Sequence, residues 1–106
     1  RTGVTPWEAI ALLYEGLLRL APTVGAAVGR AAAVAEARGP VAGLALLESI
    51  DAPGLERYQP WWALRAHLLA ALGRPDEARA AYERAAGLAE DPAVRDFLLL
   101  RSTVAG

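Results

Sequence analysis

The fold is decided by residues 58–82, YQPWWALRAHLLAALGRPDEARAAY. This stretch reads as two helices joined by a short Gly-Arg-Pro turn. Gly73 supplies a left-handed helix stop, because glycine adopts positive φ at little steric cost, and Pro75 suits the first turn of the next helix. The stretch therefore predicts a helical hairpin, and the rest of the chain reads as looser copies of it.

The composition favours one compact helical domain. The chain has 106 residues, of which 55% are hydrophobic and 22% charged, which is typical of a globular protein rather than a disordered one. Alanine, the best helix former, is abundant. No segment alternates between apolar and polar residues with turn signals at its ends, so we predict no sheet. The expected fold class is all-α, with about six helices.

Prolines at positions 6, 40, 60, 75 and 92 stand where helices would begin. Thr5 and Glu8 are expected to form a capping box around the first helix start, and Asp91 is expected to cap the last helix. The predicted helices span about residues 6–20, 24–37, 40–50, 60–72, 75–89 and 92–103.

Apolar residues at helical spacing predict which side of each helix is buried. The inward residues are predicted to be Ile10, Leu13, Tyr14, Leu17 and Leu18 in the first helix, Val41, Leu44, Leu47 and Ile50 in the third, Trp62, Ala66 and Leu69 in the fourth, and Ala78, Tyr82, Ala85 and Leu88 in the fifth.

An internal repeat is visible in the spacing of the helix stops. Gly39 and Gly73 are 34 positions apart, which is the length of a tetratricopeptide (TPR) repeat. We therefore expect residues 1–106 to form a single TPR-like domain of antiparallel helix hairpins in a right-handed superhelical stack. The first helix resembles the second helix of an incomplete copy, so we expect the chain to be the C-terminal fragment of a longer protein. Its exposed apolar face would be covered by upstream helices or by a homodimer contact.

The chain lacks the residues that most kinds of catalysis require. It has one histidine and no cysteine, which excludes disulfides and leaves no ligand set for zinc. Neither serine-base pairs nor phosphate-binding glycine loops are recognisable.

The net charge is -1, and all eleven basic residues are arginines interleaved with acidic ones, so nucleic-acid binding by this segment alone is not expected. No apolar run approaches the roughly 20 residues of a membrane span. We predict no enzyme activity and no cofactor.

Five residues are candidates for contacting a partner: Arg30, Glu36, Trp61, Arg65 and His67. Tryptophan and arginine are typical interface anchors, and the charges on the otherwise apolar second helix must reach solvent, pair or bind something. Aromatic residues at helical spacing are nevertheless more often core residues, and a lone histidine is more often structural than functional.

Several segments taken together resemble one family. Their order and spacing are similar to the C-terminal, TPR-like extension of bacterial sigma factors of the extracytoplasmic-function (ECF) group. One departure is Gly29, where such sequences usually have asparagine before the arginine. The segments are 11–22 (ALLYEGLLRLAP), 29–40 (GRAAAVAEARGP), 58–66 (YQPWWALRA), 72–74 (LGR) and 81–85 (AYERA).

The resemblance implies a regulatory extension of a cytoplasmic transcription initiation factor. The expected partners are the RNA polymerase core, upstream sigma domains of the same polypeptide or a regulatory protein. DNA would be contacted only through upstream domains. Two alternatives are a TPR-like adaptor that binds a protein or peptide, and a small-molecule sensor with a pocket around Trp61, Arg65 and His67.

Overall fold

The computed structural model describes residues 4–105, and these residues form six α-helices and no strand. The predicted all-α class is therefore confirmed. A short 3-10 helix, Leu55–Arg57, precedes the fourth α-helix. The α-helices are α1 (Trp7–Leu20), α2 (Val24–Arg38), α3 (Pro40–Glu48), α4 (Gln59–Ala71), α5 (Pro75–Leu88) and α6 (Pro92–Ala105).

The chain divides into two compact units, the first ending at Ile50 and the second beginning at Asp51. In the first unit α1 packs against α2, and α2 packs against α3. In the second unit α5 packs against both α4 and α6. Each unit therefore holds three α-helices, and the middle one contacts both neighbours.

Local sequence signals set most helix ends. Gly39 (φ 99°) ends α2 and is followed by Pro40 at the start of α3, while Gly73 (φ 72°) follows α4. The Thr23 hydroxyl accepts a hydrogen bond from the backbone N–H of Ala26 at 3.1 Å and so caps α2. The Asp91 carboxylate accepts one from the N–H of Ala93 at 2.8 Å, which confirms the predicted cap of α6.

The predicted capping box at α1 is wrong. The cap position is Pro6 rather than Thr5, and no side chain caps the helix there. Glu8 instead accepts two hydrogen bonds from Arg38 at the far end of α2, at 2.9 and 3.0 Å. The bidentate guanidinium–carboxylate geometry is the stronger interaction available to this glutamate, and it ties α1 to α2.

The Glu8–Arg38 pair predicts a specific acid sensitivity. The hydrogen bonds from Arg38 hold the pKa of Glu8 below its ordinary value. A folded-state pKa below the unfolded one adds stability above the unfolded pKa, and this stability is lost as pH falls through the folded pKa. The free energy of unfolding would be measured by urea unfolding at a series of pH values. Glu8→Gln should lower it near neutral pH and make it fall less steeply toward acid pH. The effect should be small because both side chains are exposed, and Glu83→Gln on the surface of α5 is the control. Identical profiles for Glu8→Gln and the parent would contradict this role.

Small residues allow the helices to pack closely. In the first unit Ala11, Ala33 and Val34 are buried, and Trp7, Ile10, Tyr14, Ala42 and Leu46 pack against them. In the second unit four predicted inward residues are fully buried, with 0% exposure: Ala66, Leu69, Ala78 and Ala85. The predicted inward positions Leu44, Leu47 and Tyr82 are likewise buried.

Three predicted inward residues face solvent instead. Leu13 is 68% exposed, Leu17 is 50% exposed and Val41 is 70% exposed. α1 is apolar on two sides, and α2 covers only the side that carries Trp7, Ala11 and Tyr14. Helical periodicity identifies apolar stripes but does not say which of two stripes meets a neighbour.

No helix within residues 4–105 is long and apolar enough to cross a lipid bilayer.

Candidate partner-binding surface

Two adjacent tryptophans open α4 and form an aromatic corner. Pro60 lies in the first turn of this helix, which brings Trp61 and Trp62 to its N-terminal end. Their rings meet edge to face, with centroids 4.9 Å apart and planes at 81°. This geometry places the positive edge of one ring against the negative face of the other. Both side chains remain half-buried, so part of each ring stays accessible.

Each tryptophan is stacked with an arginine. Arg65, one turn further along α4, lies 5.7 Å from the ring centroid of Trp61, and Arg84 of α5 lies 5.5 Å from that of Trp62. Guanidinium groups at this range are attracted by the ring quadrupole. The structure thus brings together the candidates Trp61 and Arg65 and adds Trp62 and Arg84. We call these four side chains the tryptophan–arginine cluster.

One backbone carbonyl fixes the cluster to the 3-10 turn that precedes α4. The carbonyl oxygen of Glu56 accepts a hydrogen bond from Trp62 Nε1 at 3.0 Å and another from Arg84 Nη2 at 2.8 Å. Both lone pairs of this carbonyl are therefore used, and Trp62 is held in position. Trp62 therefore has mainly a structural role. Trp61 and Arg65 are half-buried like Trp62, and Arg84 is the exposed member of the cluster.

A cleft of about 310 Å³ lies beside the two rings. It is lined by the apolar residues Ala52 and Leu55 and the two tryptophans, together with Asp51 and Glu56. This volume is at the lower end of the range for small-ligand sites, or enough for one or two side chains of a protein partner.

Arg84 should anchor the cluster. Arg84→Met keeps much of the aliphatic stem but removes the stacking on Trp62 and the hydrogen bond to Glu56, so we expect a loss of about 1 kcal/mol in the free energy of unfolding. Tryptophan emission should also shift to longer wavelength, because water reaches the ring. Arg79→Met, which removes an exposed pair with Asp76 on the same helix, is the matched control. Unchanged emission in Arg84→Met would contradict the anchoring role.

The other candidates lie elsewhere. Arg30 donates a hydrogen bond from Nη2 to Glu15 at 3.0 Å, and the two side chains are only 31% and 34% exposed. With Leu18 and Arg19 they line a separate cleft of about 240 Å³ in the first unit. Arg30 Nε is buried and finds no acceptor within the described part of the chain.

Glu36 is exposed on α2, and His67 is exposed on α4 but is not among the residues that line the cleft beside the tryptophans. The structure therefore does not place His67 in that cleft. Gly29 lies against Tyr14, and a Cβ atom there would come within 2.6 Å of the Tyr14 ring. A side chain at position 29 would therefore require the Tyr14 ring to move.

Sequence reasoning missed Arg84 and the carbonyl of Glu56. Arg84 lies in one of the segments that carry the family resemblance, but it has no role until α5 packs against α4. Within residues 4–105 no group of three or more His, Asp or Glu side chains is arranged to hold a metal ion.

No protein-family model matches the chain, and no solved structure matches it. The chain is similar to an uncharacterized protein of Rhizobium meliloti (strain 1021), with 39% identity over 97 residues. The match covers 92% of this chain but 23% of the relative, so the chain spans about a quarter of the length of the curated relative it matches.

Proposed function

We propose that this chain is a non-catalytic, TPR-like interaction segment that serves as the C-terminal regulatory extension of an ECF sigma factor. It acts in transcription initiation through protein contacts, either with the RNA polymerase core, with upstream domains of the same polypeptide or with a regulatory protein. DNA is contacted only by those upstream domains, and the protein works in the cytoplasm.

The two glycine-proline hairpins support a repeat of the TPR kind. Gly39 and Gly73 both have positive φ and both separate the two helices of a hairpin. The small residue near the start of the second helix is buried in each hairpin, Gly43 in α3 and Ala78 in α5. A large residue four positions later, Leu47 or Tyr82, is buried as well. Equivalent burial at equivalent positions is what stacked repeats require.

The observation that carries an interaction role is the tryptophan–arginine cluster. Trp61 and Arg65 are of the residue types that dominate binding energy at interfaces, and both are half-buried. Trp61 also lines an open cleft. Their ordered neighbours Trp62 and Arg84 reduce the entropy that a partner would have to remove. The place of this interaction in transcription rests on the family resemblance, which covers most of the chain.

In vitro transcription tests the proposal. The polypeptide that carries this chain would be compared with a version truncated before Thr5 and with Trp61→Ala and Arg65→Ala variants, each with core polymerase. We expect truncation to abolish or release initiation, and the single variants to reproduce part of that change. Glu83→Gln is the surface control. Equal initiation by all versions, without binding of the isolated segment to any polymerase subunit, would reject the proposal.

A second candidate function is an adaptor or sensor unrelated to transcription, which the cleft beside Trp61 and Trp62 favours. A bound small molecule or peptide in this cleft would quench or shift tryptophan emission. If a ligand saturates this change while truncation leaves initiation untouched, the sensor or adaptor function replaces the regulatory one.

A further inference from the structure

The side of α1 that points away from its core is a continuous apolar stripe. Ala9, Leu13, Gly16 and Leu20 follow one another at intervals of four, three and four residues, which places them on one line along a helix. Leu13 and Leu20 are 68% and 87% exposed, Ala9 is exposed, and a Cβ atom on Gly16 would meet nothing within 4 Å.

This stripe alternates small and large residues, and the alternation is self-complementary in one orientation only. In an antiparallel pair related by a two-fold axis, Leu13 of one copy lies opposite Gly16 of the other, and Leu20 lies opposite Ala9. Each leucine then enters a space left by a small residue, as packed helix layers require. A parallel pair would instead place leucine against leucine and glycine against glycine.

The borders of the stripe fit the same arrangement. Leu17, 50% exposed, would lie beside Ile10 of the second copy. Leu12, 60% exposed, would lie beside the aliphatic stem of Arg19 of that copy. Antiparallel helices also oppose their dipoles favourably. Two such faces together bury on the order of 1,000 Å², the lower limit for a specific dimer.

We infer that the outer face of α1 is a homodimer interface in which the α1 helices of two copies pack antiparallel. The inference rests on the composition of α1 and on its exposure within the described residues, and it does not depend on the proposed role in transcription. If upstream helices covered this face instead, the longer polypeptide would stay monomeric in the same experiment, and that result would overturn the inference.

Analytical ultracentrifugation over a concentration series tests it. The chain should sediment as a species of twice its mass of 11.1 kDa. Leu13→Glu should weaken self-association by on the order of 100-fold, because the carboxylate would be desolvated in both halves of the interface. Val41→Glu introduces the same charge at an equally exposed valine of α3 and should leave the dimer unchanged. Circular dichroism would verify that both variants stay helical.

Cysteine cross-linking tests the orientation, and the chain has no native cysteine to interfere. A mixture of Ala9→Cys and Leu20→Cys chains should form a disulfide between the two variants. Either variant alone should form no disulfide, because the substituted positions of the two copies would be about 16 Å apart along the helix axis. Ready cross-linking of Ala9→Cys to itself would overturn the antiparallel arrangement. A chain that stays monomeric throughout, or a Leu13→Glu dimer of unchanged affinity, would overturn the interface itself.

Discussion

Gly43→Ala is expected to lower the free energy of unfolding by about 2 kcal/mol or more, although the change is a single methyl group. Gly43 is buried where α3 crosses α2, and a Cβ atom there would lie 2.4 Å from Ala35 Cβ, 2.8 Å from Ala35 Cα and 3.1 Å from the carbonyl oxygen of Ala31. Two of these atoms are backbone, so no side chain can rotate away. The helices must separate, and the methyl and backbone contacts between them weaken along the whole crossing.

The matched control is the same substitution where space is available. A Cβ atom at Gly87 in α5 would meet nothing within 4 Å beyond its own turns of helix, so Gly87→Ala should stabilise the protein by about 0.5 kcal/mol through helix propensity alone. Urea unfolding followed by circular dichroism measures both changes. Equal midpoints for the two variants would show that α2 and α3 do not pack as closely as the structure describes.

Leu69→Ala should cost about 3 kcal/mol, within the range measured for deleting a buried leucine side chain. Leu69 is 0% exposed and is one of the two largest fully buried side chains among the described residues. It lies on α4, the helix that carries the tryptophan–arginine cluster. The cavity left by the substitution therefore weakens the support of that helix, and tryptophan emission should broaden or shift before global unfolding.

Leu100→Ala on α6 is the control, because Leu100 is 63% exposed and little packing is lost there. Its free energy of unfolding should stay within about 0.5 kcal/mol of the parent value. A loss of less than about 1 kcal/mol for Leu69→Ala would mean that the second unit lacks the tight core that positions the cluster.

Much of the fold could be predicted from local signals. The stops at Gly39 and Gly73 depend on a backbone conformation that glycine favours, and the cap at Asp91 depends on a hydrogen bond two residues away. Helix limits differ from the prediction by at most two residues: α3 ends at Glu48 rather than Ile50, and α6 ends at Ala105 rather than near Thr103. The burial of Leu69 and Tyr82 was also predicted, because each lies on an apolar stripe at helical spacing.

The predictions failed where a residue had two comparable options. Glu8 could cap its own helix or pair with Arg38, thirty residues away, and the bidentate pair prevailed. Leu13 and Tyr14 lie on neighbouring sides of α1, and only Tyr14 faces the core. Of the candidate binding residues, only Trp61 and Arg65 come together, because they are one helical turn apart.

The sequence by itself determined six helices, their approximate ends and most of the core, because each of these depends on interactions within a few residues or on one helical period. Only the tertiary structure decided which side of α1 is covered, that Arg84 stacks on Trp62, and that Gly43 must remain without a side chain. These features depend on how closely two helices approach and which faces meet. Such distances are set by the packing of residues far apart in the chain, and no local pattern encodes them.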